Sequence, residues 1–454
     1  MAPNTILTGL KFNMPLVTTH PAPVAHAPTQ GLLVTSIFAV GLVFSSGAFN
    51  LQLADDASRA FSGSAVMQAI SLLTGVIGLS LIVTSRSATK LAIRCWPIIA
   101  ITGLIFISAA WSHNYPLTIR RGFVFLTTVL LALALVGRFS PLQSLRLIVR
   151  VMALQCALSI AWVFAFPEVA VHQITDLGQT QHAGLWRGIF SHKNGLGLFA
   201  GLTAGLLLFY GSMAFRSPVG VIAAFSCAII CLIGTSSMTG VLTMVVTAAL
   251  LYFLYWMATT LDSRVRNQTL YLLLVGIFFG YLLWSAGVLN SLPVWLGRSG
   301  DMTGRFSYWA IAMDVFRSSG FTSLGGGYAV GLHHLFPPYV YVDNGYIDIL
   351  MQFGYLGSTL IALFCVWLLF AGKGVIVRSS RETASLDIFP FAIILALGLE
   401  NISETNFLAP KHIGIVLTVL AVAIIVQNRR RFAPLVAPSV SVSSPSVLRS
   451  RAHR

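Results

Sequence analysis

Charge is what this sequence lacks. Of its 454 residues, 9% are Asp, Glu, Lys or Arg and 56% are hydrophobic, whereas about a quarter of a soluble domain is charged. So little polar material cannot cover a water-facing surface, which excludes a soluble globular protein. Acid is the scarcer sign: 13 Asp and Glu stand against 28 Lys and Arg. Cysteine is sparse too. Cys95, Cys156, Cys227, Cys231 and Cys365 all fall inside apolar runs, which argues against a disulfide framework in exposed loops. Cys227 and Cys231 share a helix face, but two thiols without further ligands make a poor metal site and read as small packing residues. The first 30 residues are uncharged except for Lys11 and do not read as a cleaved leader.

Long apolar runs are what is present. A helix needs about 20 mostly apolar residues to cross a bilayer, and with no water there to satisfy backbone groups the spans must be helical. Twelve candidates lie at about 32–51, 66–84, 95–111, 122–137, 147–166, 195–215, 219–234, 238–258, 269–287, 355–372, 388–402 and 412–427. The expected fold is therefore an all-α polytopic membrane protein with about 12 transmembrane helices. Residues 1–31 form a cytoplasmic tail, 32–427 a single transmembrane domain and 428–454 a disordered basic cytoplasmic tail. No internal repeat stands out.

With both termini in the cytoplasm, 19 of the 28 basic residues and three of the 13 acids fall on the cytoplasmic side. The net positive charge is thus an orientation signal and needs no nucleic-acid partner. Arg429, Arg430 and Arg431 also suit anionic lipid. Two non-cytoplasmic loops are long, about 167–194 and 288–354, and loops of that length are usually functional or partly folded. In the second, GRFSYWAIAMDVFRSSG (304–320) reads as an amphipathic helix on the membrane surface. SLGGGYAVG (323–331) reads as a turn, and YIDILMQFG (346–354) as a short helix leading into the tenth span.

Several residues break the charge pattern. In WRGIFSHKNGL (186–196), Arg187, His192 and Lys193 sit where positive charge is otherwise depleted, and a helix starting near Asn194 points its free N–H groups and positive dipole end at the same region. Arg120 and Arg121 pair on the loop between spans three and four. Glu400 and Glu404 sit in or beside the eleventh span, where an acid is costly unless paired or functional. Span centres are nearly uncharged, which disfavours a secondary transporter with ionisable groups at the midplane.

Five short motifs resemble, in order, those of the O-antigen ligase and Wzy polysaccharide polymerase superfamily, and especially its ExoQ-like exopolysaccharide polymerase branch. They are GIFSHKNGLG (188–197), TGRFSYWAIAMDVF (303–316), SLGGGYAVG (323–331), VDNGYIDILMQFGYLG (342–357) and NISETNFL (401–408). The resemblance covers most of the chain. It implies a metal-independent glycosyltransferase of the bacterial inner membrane that transfers glycan from an undecaprenyl-diphosphate carrier to an acceptor hydroxyl, with no cofactor. The acceptor is a second carrier-linked repeat unit in a polymerase, or lipid A-core in a ligase. Membrane lipid, a flippase and chain-length or export proteins are the implied partners; a non-catalytic export subunit is the remaining alternative.

By that resemblance Arg187 and Arg305 hold the diphosphate, a task suited to the planar guanidinium fork. His192, Lys193, Asn194, Arg120 and Arg121 are candidates for the same contact. Glu404 is expected to pair with one of the arginines, and Asn344 to fix the local turn. Asp343 stands where the family usually has His, the proposed base of the ligases. It either takes the acceptor proton itself or orients a histidine, with His333 and His334 in the same loop. Asp348 reads as the polar face of the short helix. Trp309 and Tyr308 read first as interfacial aromatics and second as stacking surfaces for sugar.

Overall fold

A computed structural model describes residues 28–49, 65–176, 180–285, 305–336 and 342–431. Most of the two expected tails, and residues 286–304 and 337–341 of the long loop, lie outside this set. Among the described residues the chain is helical, with one isolated β-bridge between Val171 and Trp186. Fourteen helices carry the architecture. α1 is Pro28–Ser45, α2 Ala65–Val83, α3 Arg86–Arg94, α4 Trp96–Ile107, α5 Tyr115–Arg138, α6 Pro141–Ala165 and α7 Lys193–Ala214. α8 is Pro218–Thr235, α9 Met238–Thr260, α10 Ser263–Ser285, α11 Arg305–Ser318, α12 Gly345–Val377, α13 Phe389–Glu400 and α14 Ile413–Arg431.

Local sequence sets the helix starts. Ser140 caps α6 through Gln143 in a reciprocal capping box, with Pro141 at the first helical position. Ser217 and Pro218 repeat the pattern at α8, and Asn114 and Pro116 at α5. Proline lacks the N–H that would be orphaned there, and the polar side chain accepts one that remains.

Among the described residues, seven helices are long and apolar enough to span a membrane, or up to eight if the bent α3–α4 pair counts as one span. The expected count of twelve is not confirmed, and one of the twelve, α13, falls short of that length. Its 12 residues extend only about 18 Å at 1.5 Å per residue, well short of a hydrocarbon core of about 30 Å. The outer helices expose apolar side chains, such as Leu72, Leu73, Val76, Leu79 and Val83 of α2, as a lipid-facing surface requires.

Small residues bring the helices together. Ser71, Thr74, Gly75, Gly78 and Ile82 form the buried stripe of α2, and Cβ atoms at Gly75 and Gly78 would crowd Thr127 and Leu130 of α5. Among the seven candidate spans α7 is the most enclosed, and it packs against α6, α8 and α9. At its crossing with α9, a Cβ at Gly201 would collide with the carbonyl of Gly240.

α12 is broken at Gly354, whose φ of 61° and ψ of −167° are not helical. The amides freed by the break are used: Tyr355 N donates to Thr322 O at 2.8 Å and Leu356 N to Ser323 O at 3.1 Å. The triple-glycine turn fits against the same place. Gly326 N donates to Met351 O and Gly327 N to Gln352 O, and Gly325 and Gly327 adopt positive φ in a fit too close for any Cβ.

The apolar face of α11, expected on the membrane surface, packs on the protein. Its apolar stripe of Trp309, Ala312 and Phe316 is taken up by the protein, beside Leu332, Val342 and Met351. Trp309 Nε1 donates to Val342 O at 2.7 Å, so its ring is a buried anchor and not an open sugar-stacking face.

Candidate active site

One bundle end gathers the N-termini of α5, α7 and α12 and the segment that leaves α13. A turn at residues 401–404 organises it. Asn401 Oδ1 accepts from the backbone N–H groups of Asn406 and Phe407, and Gly345 N donates to Asn401 O at 2.8 Å. Asn344 caps α12, its Oδ1 accepting from the N–H groups of Tyr346 and Ile347, while its Nδ2 donates to Ile402 O at 3.1 Å. Asn344 thus fixes a turn, and its amide is used in doing so.

Glu404 projects from this turn into a polar node. Its Oε1 accepts from Asn194 Nδ2 at 3.0 Å and from Arg305 Nη2 at 3.2 Å. Arg305 Nη1 donates to Ser403 O at 2.6 Å, and Asp343 Oδ2 lies 3.8 Å from Arg305 Nη2. Burial, reinforced by the charge of Asp343, raises the Glu404 pKa to about 7 even though Arg305 and Lys193 oppose the shift. Burial also raises the pKa of Asp343, again against Arg305. Of the residues singled out in the sequence, the structure brings Asn194, Arg305, Asp343, Asn344 and Glu404 together. Arg305 meets a carboxylate here, as expected of Glu404, so its fork is already engaged.

Beside the node lies a cavity of about 290 Å³, lined by Arg121, Asp343, Asp348, His333, Gln352 and Thr405 among others. Arg121 reaches it from α5, with Nη1 donating to Ala329 O at 2.6 Å. Arg120 does not line it. His333 Nε2 is 3.0 Å from Asp348 Oδ1. The other oxygen of Asp348 accepts from Gln352 Nε2, and Gln352 Oε1 in turn accepts from Ala329 N at 2.9 Å. Burial disfavours the imidazolium of His333, but the hydrogen bond and charge of Asp348 outweigh burial and raise its pKa. The histidine in this loop is therefore held by Asp348, not by Asp343. The sequence holds only a faint signal for this: Asn344, Asp348 and Gln352 recur every four residues on one helix face.

Arg187 and His192 belong to a neighbouring cluster. Arg187 is buried; its Nη1 pairs with Asp176 Oδ2 at 3.2 Å and its Nε donates to Val169 O at 2.7 Å. Arg187, expected at a diphosphate, is here engaged by groups of its own loop. His192 is the N-cap of α7, its Nδ1 accepting from Asn194 N at 3.2 Å. His172 Nε2 accepts from Lys193 N at 3.2 Å, so His172 Nδ1 carries the proton and donates to Asp176 at 3.1 Å. Both rings act as neutral acceptors. Burial first, then the charges of His172, His182, Lys193 and Arg187, lower the pKa of His192 to about 3. His192 thus serves as the N-cap of α7. The rings of His172, His182 and His192 lie 5.1–5.8 Å apart, yet no group of three or more His, Cys, Asp or Glu among the described residues is arranged to hold a metal ion.

Neither family models nor curated proteins gave a match to this chain.

Proposed function

We propose that this protein is an integral-membrane glycosyltransferase that joins undecaprenyl-diphosphate-linked repeat units into exopolysaccharide, with the diphosphate carrier as leaving group. One observation carries the reading: the five short motifs, dispersed over the sequence, meet at one site. Asn194 of the first and Arg305 of the second share Glu404 of the fifth. The glycine turn is bonded to Met351 and Gln352 of the fourth, and Gly345 of the fourth to Asn401 of the fifth. Motifs that only stabilised separate helix pairs would have no reason to converge.

The chemistry fits that site. The sugar–phosphate bond breaks toward an anionic leaving group, which calls for a fixed cation, and Arg121 is the arginine that lines the cavity. Arg305 stands behind Asp343 and Glu404 and favours their charged forms against the effect of burial. In this reading both termini face the cytoplasm, and the site faces away from it at the inner membrane of a bacterium.

Deletion of the gene with analysis of lipid-linked glycans tests the proposal. Single repeat units accumulating on the carrier support polymerisation. Full-length polymer that fails to reach lipid A-core indicates ligation instead, and unchanged glycans overturn both.

A further inference from the structure

We infer that His333, oriented by Asp348, takes the proton from the acceptor hydroxyl, and that Asp343 does not. The inference rests on the glycosyl-transfer reading and names the group that reading leaves open.

The argument begins with Asp348, in the first turn of α12 and buried at its carboxylate. One oxygen is taken by Gln352 Nε2, and the other lies 3.0 Å from His333 Nε2. A buried carboxylate with one oxygen occupied accepts at the other, so Nε2 of His333 carries the ring proton and Nδ1 keeps the lone pair. A carboxylate behind an imidazole fixes its tautomer and favours its charged form, both of which a general base needs. Gln352 is itself locked by Ala329 N, so the whole relay is anchored to backbone.

His333 is the half-open member, with 46% of its side chain accessible against 9% for Asp348, and both line the cavity that Arg121 also lines. A hydroxyl entering this cavity meets a base on one wall and a guanidinium on another. Asp343 is placed differently. Its carboxylate faces Arg305 at 3.8 Å, which opposes the upward shift that burial gives its pKa, and its φ of 38° is a left-handed conformation in the turn before α12.

The step balances without a co-reactant. The acceptor O–H bond breaks, and its proton passes to His333 Nδ1. The acceptor oxygen bonds to the anomeric carbon of the donor sugar. The bond from that carbon to the phosphate oxygen breaks, and its electron pair leaves on the carrier diphosphate. Water then removes the proton from His333.

The test uses the full chain in phosphatidylethanolamine–phosphatidylglycerol vesicles, supplied with undecaprenyl-diphosphate-linked repeat units isolated from the deletion strain. Initial rates are followed from pH 5 to 9, with thermal unfolding in detergent as a folding control. Wild-type turnover should rise with pH through an ionisation above the ordinary imidazole range near 6.5. His333→Gln should lower kcat by roughly 10²–10⁴-fold with KM changed little. Asp348→Asn should move the midpoint of the pH profile downward, because the group that raises the His333 pKa is gone; a purely structural residue would lower the rate without moving the midpoint. Asp343→Asn, which alters the charge beside Arg305 and Glu404, should lower the rate less than His333→Gln and leave the midpoint of the pH profile in place. If wild-type protein polymerises and His333→Gln matches it, or if Asp343→Asn alone abolishes turnover, His333 is not the base although the transfer reading stands. If folded wild-type protein makes no polymer, the transfer reading fails, and the assignment of His333 with it.

Discussion

Asn194 donates to Glu404 at 3.0 Å across 210 positions of sequence. That bond joins the start of α7 to the segment leaving α13, and it places a carboxylate raised to about pKa 7 against Arg305. The stability of this end of the protein therefore depends on which of the two partners, Asn194 or Arg305, remains to balance Glu404.

Arg305→Ala should destabilise the protein more at pH 8–9 than at pH 6. A carboxyl with a folded pKa above its unfolded value loses stability as pH rises from the unfolded value towards the folded one. Burial, then Asp343, raise Glu404, and Arg305 opposes them, so removing Arg305 extends the loss above pH 7. On the order of 1–3 kcal/mol should separate the two pH values, and adding Glu404→Gln should remove the difference. Equal destabilisation at both pH values, read by thermal unfolding in detergent, would count against the pairing.

Arg187→Ala and Asp176→Asn should resemble each other. Each leaves a buried charge or its hydrogen-bonding partners uncompensated, with a cost of about 3–5 kcal/mol, and each should lower the yield of folded protein. Arg187→Lys should not restore it, because an ammonium cannot serve Asp176 and Val169 O together in the same fork. Normal yield of Arg187→Ala with a loss of activity alone would return this residue to the substrate.

The 172–194 region should loosen in acid. Histidines held neutral contribute stability that is complete above their unfolded pKa, near 6.5, and is lost as pH falls towards the folded value. For His192, shifted down to about 3 by burial and its charged neighbours, that window spans roughly pH 6.5 to 3; His172 is also lowered, by burial first, against Asp176. Amide exchange at Lys193 and Asn194, corrected for intrinsic rates, should accelerate over this range by up to tenfold per pH unit per histidine. His192→Asn retains an N-cap side chain and should flatten the dependence. A dependence as steep as wild type in that variant would exclude His192 as its origin.

Gly201→Ala should cost at least about 1–3 kcal/mol, because the new methyl meets the backbone of Gly240 and not a side chain that can turn away. Gly103→Ala, with open space around it, should be neutral or stabilising by up to about 1 kcal/mol. Comparable melting temperatures for the two variants would contradict the close α7–α9 crossing.

Much of this fold is legible in the sequence because apolar runs and Ser–Pro or Asn–Tyr–Pro starts are local signals. Asn194, Arg305, Asp343 and Glu404 could be singled out because they sit in short motifs or break the charge pattern. What could not be read is pairing across space. Nothing local separates Arg187, closed on Asp176, from Arg121, which lines a cavity; both are outlying cations in the same chain. Asp348 looked like an ordinary polar helix position because its partner, His333, lies in a different element. The length of α13 was hidden for a related reason: it is as apolar as its neighbours, and only the turn locked by Asn401 shows where it stops.

The break at Gly354 gives α12 two mechanical lives. Gly345–Phe353 is tied by backbone bonds to the glycine turn and the 401–404 turn, and Tyr355 and Leu356 to Thr322 and Ser323, whereas further along the helix Leu360 and Leu363 face the surroundings. The lower part, Tyr355–Val377, is roughly 34 Å long, somewhat more than a bilayer core, and such helices adjust to membrane thickness by tilting. A rod would pass every tilt to Asp348. With a joint at Gly354, the lipid can set the angle of the lower helix while the carboxylate stays where the cavity needs it.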